Sequence, residues 1–173
     1  IFQFYGVQIS VLINQGKQYW RFLTPIFLHA NFIHMLSNSY FLFICGELVE
    51  MYIGKVKFII FYLVTGVIGN IVSYFTIEPM TASLGASGAC LGIGGVLVYM
   101  WLNKKSNFLK NYRGVTSLVI MIAINIFYGF TVTGIDNGAH VGGFLSGLIL
   151  AFIVDKTIGL GQKRANKIPY VQE

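Results

Sequence analysis

Charge is what this chain has least of. Only 10% of its 173 residues are Asp, Glu, Lys or Arg, where a soluble globular domain carries about 25%. Beside a hydrophobic content of 55%, that shortage excludes an ordinary soluble domain and points to a chain whose solvent is mostly lipid. Acidic residues are scarcest, six against twelve Lys and Arg. In a soluble protein the +6 balance would raise nucleic acid as a partner, but here the placement of the charges matters more. The only cysteines, Cys45 and Cys90, fall inside apolar runs and read as buried, inert thiols rather than a disulfide. No N-terminal segment has the basic, apolar, small-residue order of a signal peptide. The chain opens on Ile1 rather than Met, so an upstream part is expected to be missing.

What is abundant is apolar length. Five stretches approach the roughly 20 residues that cross a bilayer: 32–49, 58–77, 84–102, 115–132 and 138–154. All five are expected to be transmembrane helices, because lipid offers no partner to unpaired backbone groups. They lack the period-2 alternation of strands and are too long for them. Segment 1–12 is too short and too interrupted to span. The basic residues then give an orientation. Lys55, Lys57, Lys104, Lys105, Lys110, Arg113, Lys156, Lys163, Arg164 and Lys167 all fall on one side, leaving Lys17 and Arg21 on the other. The positive-inside rule puts the C-terminus in the cytoplasm and the segment around Trp20, the loop at Glu78 and the loop at Asp136 outside.

That orientation sets Ser87, His34, Asn38 and His140, from three helices, at one depth just below the outer surface. Intramembrane polar groups are costly and suggest function; the bland alternative is hydrogen bonding between packed helices. His34 and Asn38 are four apart and share a helical face. Metal binding is the weaker reading, since no further His or carboxylate stands at ligand spacing among three histidines. In "GAHVGGFLSG" Gly143 and Gly147 follow His140 as a GxxxG pair, and "GASGACLGIGG" offers Gly88, Gly92 and Gly95. Close packing of these two small surfaces brings His140 toward Ser87. A serine hydroxyl needs a base to take its proton, and an imidazole titrates near neutral pH. His34, the Asn38 amide and the Ser87 N–H at a helix start are candidate oxyanion donors. The glycines around Ser87 permit a tight turn and close substrate approach.

These residues carry a resemblance. "GASG" around Ser87, "HANFIHMLSN" with His29, His34 and Asn38, "AHVGGFLSG" with His140, "YWRFLTPIFLH" with Trp20 and Arg21, and "GELVEMYIG" with Glu50 occur in the order found in rhomboid intramembrane serine proteases, over nearly the whole chain. The sequence resembles that family. The resemblance implies an all-α, polytopic, rhomboid-like transmembrane helix bundle, with five helices visible of a six-helix core and the first absent. The layout expected is an outer loop at 1–31, five helices in 32–154 and a cytoplasmic tail at 155–173. It implies Ser87 as nucleophile and His140 as general base and acid, in a Ser–His dyad without a catalytic carboxylate. His34 and Asn38 match the oxyanion positions. Gly85, Gly88, Gly143 and Gly147, with Trp20, Arg21 and Glu50, take structural roles. The implied reaction is cleavage of transmembrane protein substrates near the outer leaflet, with the bilayer as partner and neither cofactor nor metal.

Some positions depart from that pattern or need placing. Leu91 stands where the family usually has an aromatic packed on the imidazole. Asp136, four before His140, invites a triad, but Asp136 or Asn137 is expected to cap the last helix. Trp20 and Arg21 suit an interfacial anchor among headgroups. Glu50 is expected to bond to loop backbone, His29 to make a structural hydrogen bond, and Asn70, Ser73 and Asn125 to bond between helices. The tail "QKRANKIPYVQE" reads as a cytoplasmic end touching anionic lipid rather than a nucleic-acid arm. A bacterial plasma membrane is the expected location. The alternative is a proteolytically inactive rhomboid-like protein that binds membrane helices. A transporter fragment would break its helices at mid-bilayer, and a soluble α/β-hydrolase needs G-x-S-x-G after a strand, where this chain has Ala89.

Overall fold

Where each helix starts is written in a few polar and glycine residues. The computed structural model describes residues 5–103 and 114–160. Of the basic residues that set the orientation, Lys104, Lys105, Lys110, Arg113, Lys163, Arg164 and Lys167 lie outside the described residues, as do the tail beyond residue 160 and the opening Ile1. A short helix α1 (Ser10–Asn14) and two 3-10 turns (Tyr19–Phe22, Thr24–Phe27) precede α2 (Phe32–Phe41). Asn31 opens α2 by accepting the His34 N–H at 2.8 Å, one of the donors a helix start leaves unpaired. A π turn (Leu42–Gly46) carries α2 without a break into α3 (Glu47–Ile53). Gly54, at φ 86°, then reverses the chain into α4 (Lys55–Thr76), a turn that a side chain would strain. The remaining helices are α5 (Ser87–Leu102), α6 (Val115–Thr131) and α7 (Asn137–Thr157). Asp136 caps α7 by accepting the Ala139 N–H at 2.9 Å.

The protein is an all-α, multi-pass transmembrane bundle. Among the described residues there is no strand, only a two-residue bridge between Gln8 and Ser83. Phe32–Ile53, Lys55–Thr76 and Asn137–Thr157 are each long and apolar enough to cross a membrane. Helices α5 and α6, also expected to cross, are apolar but shorter, at 16 and 17 residues. Helix α5 is the hub: it is buried on nearly every face and packs most extensively on α7 and α4. Helices that are apolar all round sit inside a bundle. The others turn large apolar side chains outward, Phe75, Phe127 and Phe43 among them, as lipid-facing surfaces do.

Helix α5 is too short to reach both membrane surfaces. Its 16 residues rise about 24 Å, short of a hydrocarbon core of about 30 Å. Residues 77–86, which form no helix, join α4 to the start of α5. That segment is tied in place by backbone bonds: Gln8 N–H to Ser83 O at 2.8 Å, Ser83 N–H to Gln8 O at 2.9 Å, and Gly85 N–H to Pro25 O at 3.0 Å. The first residue of the shortened helix is Ser87.

Candidate active site

Close approach of backbones builds the site. A Cβ on Gly143 would collide with the Gly88 carbonyl, one on Gly147 with the Gly92 carbonyl, and one on Gly95 with the Phe144 carbonyl. Helices α5 and α7 thus touch backbone to backbone along three successive levels, which only small residues allow. One turn above the uppermost level, His140 Nε2 lies 2.8 Å from Ser87 Oγ. This is hydrogen-bond distance, the reach across which an imidazole can take a serine's proton. The Asp136 carboxylate makes no hydrogen bond to either side chain of the pair. It accepts from Ser73 Oγ and Ser83 Oγ on one oxygen and from the Ala139 N–H on the other. The helix cap, not a triad, is what its geometry serves.

Donors surround Ser87. Its own N–H belongs to the first turn of α5, where amides have no intrahelical acceptor. Asn38 is buried, and its Nδ2 has no hydrogen-bond partner among the described residues. Asn38, Ser87 and His140 line a cavity of about 240 Å³ together with Cys90, Leu91 and Met121. Leu91, in the usual aromatic position, thus lies in the same cavity wall as the imidazole. His34 stands on the other side of the loop. A Cβ on Gly85 would lie 2.9 Å from His34 Cε1, 3.1 Å from its Nε2 and 3.5 Å from Ser87 Oγ. Gly85 also has φ 143°, so glycine is required there twice over. The Ala30 N–H points to His34 Nδ1 at 3.5 Å, which leaves Nε2 to carry the proton on the side facing Ser87. The His29 ring meets His34 edge-on at 5.3 Å, and burial, then His34 itself, holds the His29 imidazole below its ordinary value. Among the described residues no three His, Cys, Asp or Glu side chains are grouped to hold a metal ion.

The chain also matches known proteins. A family model described as the Rhomboid domain covers residues 16–157. The chain belongs to the rhomboid family. It is 39% identical over 147 residues to rhomboid protease GluP of Bacillus subtilis (strain 168), covering 85% of this chain and 28% of that protein. It is 34% identical over 142 residues to RHOMBOID-like protein 6, mitochondrial, of Arabidopsis thaliana, covering 82% of this chain and 46% of that one. RHOMBOID-like protein 5 of the same plant is 31% identical over 144 residues, 83% of this chain and 46% of its own. The chain thus spans less than half the length of these three relatives.

Other residues of this rhomboid domain sit differently from expectation. Arg21 does not reach headgroups: it is 2% exposed and turns inward to Gln18 Oε1 at 2.7 Å and the Val7 carbonyl at 2.5 Å. Both of these acceptors lie in the segment before α2, which Arg21 ties together. Trp20 beside it is 53% exposed, as an interfacial indole would be. Glu50 gives its backbone carbonyl to the Gly54 N–H at 2.7 Å; no bond from its carboxylate is made to a described residue. Asn70 bonds the Phe22 carbonyl at 2.9 Å, at the end of the first 3-10 turn rather than on another α-helix. Asn125 bonds Met121 within its own helix at 3.1 Å, and its side chain instead borders the cavity. Ser73 receives Gln8 Nε2 at 3.0 Å, besides donating to Asp136. Tyr40, Phe41 and Met121 line the cavity unannounced by sequence, since apolar side chains there read as ordinary lipid or core contacts.

Proposed function

We propose that this chain is an intramembrane serine endopeptidase that cleaves transmembrane protein substrates with a Ser87–His140 dyad. The observation that carries the reading is the 2.8 Å contact between His140 Nε2 and Ser87 Oγ, made at the first residue of α5. Membership of the rhomboid family and likeness to a rhomboid protease support it. A substrate helix unwinds at the outer boundary and its backbone enters beside α6 and the 131–137 loop. Ser87 Oγ attacks the scissile carbonyl carbon while His140 Nε2 takes the hydroxyl proton. The oxyanion is held by the Ser87 N–H, Asn38 Nδ2 and His34 Nε2, donors fixed before the reaction starts. His140 then hands its proton to the leaving amine, and water, activated by His140, hydrolyses the acyl-enzyme. Lys55, Lys57 and Lys156 near the opposite end of the bundle support an orientation with the site toward the outside and the C-terminus in the cytoplasm of a bacterial plasma membrane.

The test is covalent labelling of the purified protein in detergent by a fluorophosphonate, with Ser87→Ala and His140→Ala beside it. Labelling that requires both residues is expected. Folded protein that stays unlabelled overturns the proposal in favour of a proteolytically inactive rhomboid-like protein that binds membrane helices.

A further inference from the structure

The contact on His140 Nε2 constrains the other ring nitrogen. For Nε2 to accept the Ser87 proton, its lone pair must be free, so the single proton of the neutral ring sits on Nδ1. That Nδ1 is buried and has no hydrogen-bond partner among the described residues. A buried donor without an acceptor is costly. Near it is a buried acceptor in the same condition, Oδ1 of Asn137, three residues earlier in α7 and so on the same helical face. Both atoms border one point on α6. A Cβ on Gly129 would lie 2.5 Å from Asn137 Oδ1 and 3.4 Å from His140 Nδ1. Glycine at 129 keeps side-chain atoms out of the space between them. Asp136, the other oxygen-bearing neighbour, already has both oxygens engaged, by Ser73, Ser83 and the Ala139 N–H.

We propose that Asn137 is the positioning residue for His140: its carboxamide oxygen accepts the Nδ1–H, by a small side-chain rotation or across one water, and so fixes the tautomer whose Nε2 faces Ser87. The assignment rests on the dyad reading above. Gly129 on α6 belongs to the same device, which makes the orientation of the base depend on how α6 sits against α7.

The experiment uses the whole chain in detergent micelles with ¹⁵N-labelled histidine, His140 being assigned by comparison with His29→Gln and His34→Gln. Nitrogen shifts in the wild type are expected to report the neutral Nδ1–H tautomer. Asn137→Ala should mix the tautomers and lower kcat roughly 10–100-fold, the range known for orienting partners of metal-bound histidines, with KM little changed. Asn137→Asp keeps the acceptor at a helix start that favours an anion and should restore the Nδ1–H signal and most of kcat. Gly129→Ala fills the space with a methyl and should reproduce the Asn137→Ala spectrum, so the test survives if Asn137→Ala does not fold. A wild-type His140 protonated on Nε2, or variants that change thermal stability while leaving tautomer and kcat untouched, overturns the proposal. The spectrum is read without turnover; failure of the dyad itself shows separately, as wild-type protein that no fluorophosphonate labels.

Discussion

The carbonyl oxygen of Gly88 occupies the place a side chain on Gly143 would need. Gly88 follows Ser87 directly and Gly143 lies three residues after His140, so this backbone contact sets the distance across which serine and histidine meet. Gly143→Ala would force backbone against backbone, where no side-chain rotation relieves the clash. Overpacking of this kind costs about 1–3 kcal/mol. We expect a lower thermal midpoint in micelles and a matching loss of fluorophosphonate labelling. An alanine variant with wild-type stability and labelling would mean that the helices are not held this close.

In the proposed mechanism Asn38 serves the oxyanion rather than the substrate ground state. Its Nδ2 is buried among the described residues with no acceptor, beside Ser87 and His140 in one cavity. Asn38→Ala should lower kcat by roughly 10²–10³ with little change in KM, the loss expected for one oxyanion donor. Steady-state cleavage of a transmembrane reporter in micelles gives both constants. A fall of less than tenfold returns Asn38 to a packing role.

Arg21 is a clamp within the N-terminal segment. With its guanidinium buried against Gln18 and the Val7 carbonyl, it holds the strand-like stretch whose next residue, Gln8, pairs with Ser83. Arg21→Met keeps bulk but strands the Val7 acceptor, a loss of about 1–3 kcal/mol. Arg21→Lys should rescue little, because an ammonium lacks the planar fork that reaches two partners. Thermal unfolding and limited proteolysis between residues 5 and 30 are the measurements. Wild-type protease resistance in Arg21→Met would remove the clamp.

How far the sequence foretells this molecule differs from residue to residue. The apolar runs and the observed helices agree closely, 84–102 against Ser87–Leu102 and 115–132 against Val115–Thr131, because lipid forces long apolar segments into helices. Ser87 and His140 could be brought together on paper only as a hypothesis, from glycine spacing that many packed membrane helices share and from the family resemblance. Arg21 could not be placed: a cation near a membrane surface suits headgroups and a buried clamp equally well, and only the path of a distant segment, Val7, decides. The same holds for Asn137. Its position before His140 announces a cap, yet Asp136 takes the cap, and the contribution of Gly129 comes from a helix that sequence does not align with α7. Local pattern is legible; the meeting of irregular segments is not.

His29 supplies a pH dependence. Burial and the adjacent His34 keep its imidazole below the ordinary value of 6.5, so the unfolded chain binds its proton at higher pH than the folded one. Where the unfolded state holds more protons, stability rises with pH. The contribution of His29 is therefore fully present above about 6.5 and is lost as pH falls from there through the lower folded value. The wild-type thermal midpoint should drop as buffer pH is lowered from about 7.5 to 5. His29→Gln, which keeps polarity and cannot charge, should flatten that part of the curve. The edge-on contact with His34 lets the same titration reach the loop at Gly85, so labelling of Ser87 should weaken over the same interval in the wild type and less in the variant. Parallel curves for the two proteins would place the acid sensitivity elsewhere.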